Sequence, residues 1–151
     1  MTTASQAYAA ARTVLEASPP ADLTGGFRWQ GEASEALSDT PEPFAYVEFL
    51  TDPGSLAGYG GGAGHNLWRY PSRATIYVFV PKGEGLTVAA ELTEAAIAPL
   101  RGFRSADLSC FAATVMPGGD GAVLKPAGLN SDVGNYYYAI GTVDFHFDQV
   151  G

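Results

Sequence analysis

Nearly continuous apolar runs mark two stretches, residues 44–50 (FAYVEFL) and 73–80 (RATIYVFV), both rich in aromatic and β-branched side chains. Such residues fit a pleated, half-buried surface, so both stretches are expected to be strands. In the second, Ala74, Ile76, Val78 and Val80 fall on one face and Thr75, Tyr77 and Phe79 on the other. Both faces are apolar enough to predict a central strand covered on both sides. A third run spans 136–147, with Tyr137, Ala139, Gly141, Val143, Phe145 and Phe147 on its apolar face. Tyr136, Tyr138, Thr142, Asp144 and His146 lie mainly on the opposite face. Residues 108–115 read as a further strand containing Cys110, and 27–30 as a short one after the Gly25-Gly26 turn.

Helical spacing appears twice. Thr3 and Gln6 form a capping-box pattern, and Tyr8, Ala11 and Leu15, with Val14 beside them, make an apolar stripe ending before Pro19-Pro20. Val88, Leu92, Ala95 and Ala96 repeat at helical spacing after Thr87, which is the expected cap of a helix reaching about Leu100. Residues 31–43, with Glu32, Glu35, Asp39 and Glu42, carry no sustained apolar period and read as an exposed loop or a short helical turn. Residues 117–121 read as a turn and 122–134 as a polar loop. The order of helix, strands, helix, strands predicts a single α+β domain over 1–151. Its sheet is mainly antiparallel, with two helices packed on one face and a long Gly-rich hairpin arm.

That arm is the segment TDPGSLAGYGGGAGHNLWRYPS between the two clearest strands. A loop longer than roughly 12–15 residues in a compact domain is usually functional or disordered. Gly60, Gly61 and Gly62 loosen its middle, yet Tyr59, His65, Trp68, Arg69 and Tyr70 are large side chains suited to contacts. The arm is therefore expected to meet another protein chain.

Composition narrows the chemistry. The 151 residues include eight Lys and Arg against sixteen Asp and Glu, a formal charge of -8. Gripping phosphates needs a basic face, so nucleic-acid binding is disfavoured, and an acidic surface would let DNA slide past without sticking. Cys110 is the only cysteine, which excludes an internal disulfide and a Cys-based zinc cluster. No basic-then-apolar leader opens the chain, and no apolar run approaches the roughly 20 residues of a membrane span. A soluble chain made in a reducing cytoplasm is expected.

Catalytic patterns do not assemble. The triple glycine leads through His65 and Trp68 into a strand, whereas a P-loop needs Gly-Lys-Ser or Gly-Lys-Thr entering a helix. Asp144, His146 and Asp148 share a strand face that could hold a metal, but a solvated polar strand end explains them as well. Cys110 within an apolar strand reads as a small buried residue, and no Ser sits in a Gly-x-Ser-x-Gly elbow. Alternation leaves only Tyr136 and Tyr138 of the Tyr136-Tyr137-Tyr138 run on one face, so packing is favoured over base stacking. No catalytic, cofactor or metal residues are assigned.

Several segments, taken in order, resemble one family: Phe27-Arg28-Trp29-Gln30, the AYVEFL run at 45–50, the glycines of 60–64 and Arg69-Tyr70-Pro71. The YVFVP strand at 77–81 and the LRGF helix exit at 100–103 complete the series. In order and spacing, the chain resembles the tail terminator, or tail-completion, family of long-tailed, lambda-like phages. That resemblance implies a virion structural protein of the tail and neck, assembled in the host cytoplasm into a homo-oligomeric, sixfold ring. Such a ring caps the tail tube protein, ends its polymerisation and offers a surface to the head–tail connector or stopper. Genomic DNA passes through the lumen without specific binding, and no membrane is involved. Within the same neck region the alternatives are a head-side connector, a stopper or a tube subunit. From other classes, they are a small-ligand-binding domain with a Gly-rich lid and a hydrolase with an unrecognised site.

Overall fold

The computed structural model describes residues 2–33 and 35–151. The elements are α1 (Ala4–Ala17), β1 (Phe27–Trp29), β2 (Phe44–Thr51), β3 (Ser55–Gly58), β4 (Leu67–Pro81), α2 (Leu86–Ile97), a 3-10 turn (Ala98–Leu100), β5 (Ser109–Asp120) and β6 (Tyr136–Val150). One six-stranded sheet runs in the order β1-β2-β4-β6-β5, with β3 pairing to β4 beyond the end of β2. Only the β1–β2 pair is parallel, so the fold is α+β with a mainly antiparallel sheet. Two fifteen-residue strands, β4 and β6, form its middle and pair along their whole length, from Leu67 beside Val150 to Pro81 beside Tyr136.

Both helices cover the face carrying Ala74, Ile76, Val78 and Val80 of β4 and Ala139, Val143, Phe145 and Phe147 of β6. The capping box at the start of α1 is complete: Thr3 Oγ1 accepts from the Gln6 N–H, and Gln6 Oε1 accepts from the Thr3 N–H at 2.8 Å. Ala7, Ala11 and Leu15 make its buried stripe, with Tyr8 flanking it and stacked on Phe49 at 4.8 Å between ring centres. Alanines at two of those three positions let the helix axis approach the sheet closely.

The second helix is set differently from the sequence expectation. Its N-cap is Gly85, at φ 90°, and helical geometry begins at Leu86 rather than after Thr87. The buried stripe is Ala89, Leu92, Thr93, Ala96 and Ile97, while Val88 and Ala95 face outward. The cause lies on β6. A Cβ at Gly141 would stand 2.7 Å from Ile97 Cγ2 and 2.9 Å from Thr93 Cγ2, so the helix settles onto the one β6 position without a side chain. Thr93 is fully buried there because its hydroxyl donates to the Ala89 carbonyl at 2.6 Å.

The opposite face is covered at one end only. Phe44, Phe79, Tyr136 and Tyr138 form an aromatic cluster, with Phe44 and Phe79 stacked at 4.8 Å, and Leu129 and Val133 close over it. The polar 122–134 loop thus contributes the lid of a second small core. β4 is covered on both faces at this end, as its two apolar faces predict.

Two strand boundaries differ from those read in the sequence. β5 continues past Val115 to Asp120, so 117–120 is strand rather than turn, with irregularities between Cys110 and Ala112 and between Pro117 and Gly119. Pro117 is accommodated because β5 is an edge strand, where a missing N–H can face outward. β4 begins at Leu67, not at 73, because β6 runs to Val150 and supplies ladder partners for residues 67–72. The described residues of 31–43 contain no helix or strand.

Replacing Gly141 with Val should press on Thr93 and Ile97 and lower stability by about 1–3 kcal/mol. Gly119→Ala, where a Cβ meets nothing within 4 Å, should stay within about 0.5 kcal/mol of the parent. Urea unfolding of the two variants checks the contrast.

Candidate assembly surface

The expected arm is a rigid stem with a short tip. Ser55 pairs with Arg69, Leu56 with Trp68 and Gly58 with Leu67, so β3 and β4 form a hairpin that starts well before the triple glycine. The tip then spans 59–66. Gly61, Gly62 and Gly64 take φ values of 136°, 90° and 84°, a region closed to most side chains. Internal bonds hold the tip: the Gly60 N–H donates to Asn66 Oδ1 at 3.3 Å and the His65 N–H to the Gly62 carbonyl at 3.1 Å. Tyr59 is 90% exposed and His65 is exposed beside it. An aromatic ring held that far out of the protein has little of its own chain to touch.

The eight residues picked from the sequence therefore divide. Tyr59, Gly60, Gly61, Gly62 and His65 form the outer tip, whereas Trp68, Arg69 and Tyr70 belong to the stem. Trp68 Nε1 donates to the Gly151 backbone oxygen at 3.2 Å. Tyr70 stacks on Phe147 at 5.2 Å, and a Cβ at Gly54 would strike its ring. Arg69 makes a two-pronged contact with Asp148, 2.8 Å on each prong. These three side chains fasten the hairpin to the end of β6.

The Arg69 fork also answers the metal reading of Asp144, His146 and Asp148. Asp148 is bonded by Arg69 and Asp144 by Arg73 at 2.7 Å, so both carboxylates already have a cation. Among the described residues no cluster of three or more His, Cys, Asp or Glu is placed to hold a metal ion. The fork holds Asp148 below the usual carboxylate range, while burial and then Arg69 push His146 down. Cys110 is buried among apolar neighbours and its thiol is pushed up to about 11, so it is protonated at neutral pH and a poor nucleophile. Burial, with the Glu48 carboxylate behind it, pushes Tyr77 up to about 12.

Beyond the aromatic cluster, the second sheet face is open. Thr75, Thr114 and Thr142 line its middle, Leu50 is 62% exposed on one flank and Phe111 60% on the other. Phe111 sits beside His146 on β5, the outer strand of the sheet. Between Ser109 and Gly119 that strand carries no charged residue, although edges left to solvent are commonly guarded by charge. The run of uncharged residues was visible in the sequence; that it forms an edge was not.

No model of a known protein family matches the chain, and no curated protein matches it. No helix among the described residues is long and apolar enough to cross a membrane.

The pH dependence of the hairpin root follows from Asp148. Its folded pKa lies below its unfolded value of about 3.9, so the pairing contributes fully above that pH and is lost as pH falls through the folded value. Arg69→Ala should cost about 0.5–1 kcal/mol at pH 7 for this partly exposed pair. The variant should also lose less stability than the parent between pH 5 and about 2, which chemical denaturation across that range would measure.

Proposed function

We propose that this chain is a tail-completion protein of the tail terminator kind. It assembles into a closed, sixfold ring that caps the tail tube, stops its growth and presents a surface to the head–tail connector. The observation that carries the proposal is the hairpin: a stem fastened to β6 by the Arg69–Asp148 fork and the Tyr70–Phe147 stack, ending in a glycine tip with Tyr59 exposed. Such a device positions a contact rather than a reaction. The formal charge of -8 suits a protein past which DNA must move freely.

The reading with a Gly-rich ligand lid is less well supported by the geometry. The tip lies at the Val150 end of β6, where the Gly151 N–H donates to the Asn66 carbonyl at 3.0 Å. A cleft of about 740 Å³ lies against Tyr136 at the other end of that strand. A tip held there does not close over that cleft.

Negative-stain microscopy of the protein, alone and with purified tail tubes, tests the proposal. Rings with a central hole, or a cap at one tube end, are the expected result. Decoration of both ends or of the wall would move the protein to a tube or sheath role, and a monomer that ignores tubes would overturn the proposal. Replacing 60–64 with a two-residue hairpin turn should preserve the fold, because the β3–β4 pairing lies outside the deleted segment. The same change should reduce the yield of joined, infectious particles, which a plaque assay of the complemented variant reads.

A further inference from the structure

Two arginines without an ion pair among the described residues and a carboxylate-lined cleft lie at opposite ends of the sheet. Arg12, Arg69, Arg73 and Lys82 are held in ion pairs within the chain. Arg28 Nη1 donates to the Glu35 carbonyl at 2.7 Å with its guanidinium over the Phe44 ring, and Lys125 donates to the Ser131 carbonyl at 3.1 Å. Arg101 and Arg104 remain, both exposed and without an ion pair among the described residues. α2 starts beyond Pro81 and runs back across the sheet, which carries these two arginines to the Val150 end. There Arg104 bridges Ser109, and Ser109 pairs with His146.

The other end holds a cleft with a carboxylate rim, and Arg28 and Lys125 are bonded into its wall. Residues 32–33, 35–39 and 128–132 wall the 740 Å³ cleft, whose lining includes Glu35, Asp39 and Asp132. At its floor is Tyr46, 2% exposed, whose hydroxyl has no hydrogen-bond partner. A Cβ at Gly128 would collide with that hydroxyl, so only glycine fits where the 128 backbone covers it. Burial and then the Glu48 carboxylate push the Tyr46 phenol up, so it stays neutral and its oxygen can accept from a cation. An unpartnered buried hydroxyl beneath a carboxylate rim is the complement of a guanidinium, which offers several N–H donors in one plane.

From Tyr136 to His146 a strand rises about 3.3 Å per residue, which puts the cleft roughly 30 Å from Arg104. One chain cannot join its own two ends. We propose that the cleft receives Arg101 and Arg104 of a second copy of this chain, forming a head-to-tail contact. Because the two patches differ, the contact is heterologous, and repeating it closes a ring when the rotation permits. This inference rests on the ring reading and supplies its subunit contact.

Sedimentation velocity of the full chain over a range of protein and salt concentrations tests it. The parent is expected to form rings that weaken as salt rises, since the rim carboxylates are solvent-accessible. R101E/R104E should weaken assembly about tenfold or more, and Tyr46→Phe should weaken it several-fold without unfolding the aromatic cluster. Adding E35R/D39R to R101E/R104E should restore rings by exchanging the signs of both patches. Unaltered circular dichroism separates lost assembly from lost folding. Rings that persist in both R101E/R104E and Tyr46→Phe overturn this contact and leave the ring reading intact. Normal rings that no longer cap tubes would assign the arginines to the tube protein and also overturn it. A parent chain that stays monomeric at every concentration, with tubes present, overturns the contact and the ring reading together.

Discussion

The β4–β6 ladder is the interaction on which the rest of this protein depends. Each strand spans fifteen residues, and every residue of one has a partner on the other. Strands of that length cannot be buried evenly by 151 residues, and the protein covers them unequally. Helices α1 and α2 cover one face, while loop residues Leu129 and Val133 cover one end of the other. The remaining half of the second face, with the outer edge of β5, is left to solvent or to a partner.

The same ladder determines where charge can act. Arg69 and Arg73 stand directly across from Asp148 and Asp144, so the open half of the sheet neutralises itself in cross-strand pairs. Those pairs take up two of the few cations in a chain with a formal charge of -8. Two arginines after α2 stay without an ion pair among the described residues, and part of the surplus of carboxylates lines the cleft beside Tyr136. The projecting hairpin lies at the same end of the sheet as those two arginines.

Much of this architecture is legible in the residues. The apolar-rich runs at 44–50, 73–80 and 136–147 identify the three inner strands, because a strand covered on both sides must be apolar at nearly every position. The Thr3–Gln6 capping box fixes the start of α1, since its hydrogen bonds are local in sequence. The second helix was placed but turned wrongly, with Val88 and Ala95 assigned inward. Thr93 is polar in sequence and becomes a core residue only because β6 presents Gly141 beneath it. Residues 67–72 carry no apolar alternation, and the arm appeared longer than it is; their partners are more than seventy positions away, at the end of β6.

What the sequence determined by itself is whatever depends on neighbours along the chain: the capping of α1, the apolar character of each inner strand and the acidic balance. The tertiary structure alone decided which large side chains of the arm face outward. Trp68, Arg69 and Tyr70 look as available as Tyr59 in the sequence, yet Gly151, Asp148 and Phe147 engage them. It also decided that Tyr46, an ordinary strand residue by pattern, ends with its hydroxyl unpartnered beneath an acidic cleft. Both outcomes depend on residues distant in the chain meeting across a sheet, and no local pattern of hydrophobic and polar positions encodes such a meeting.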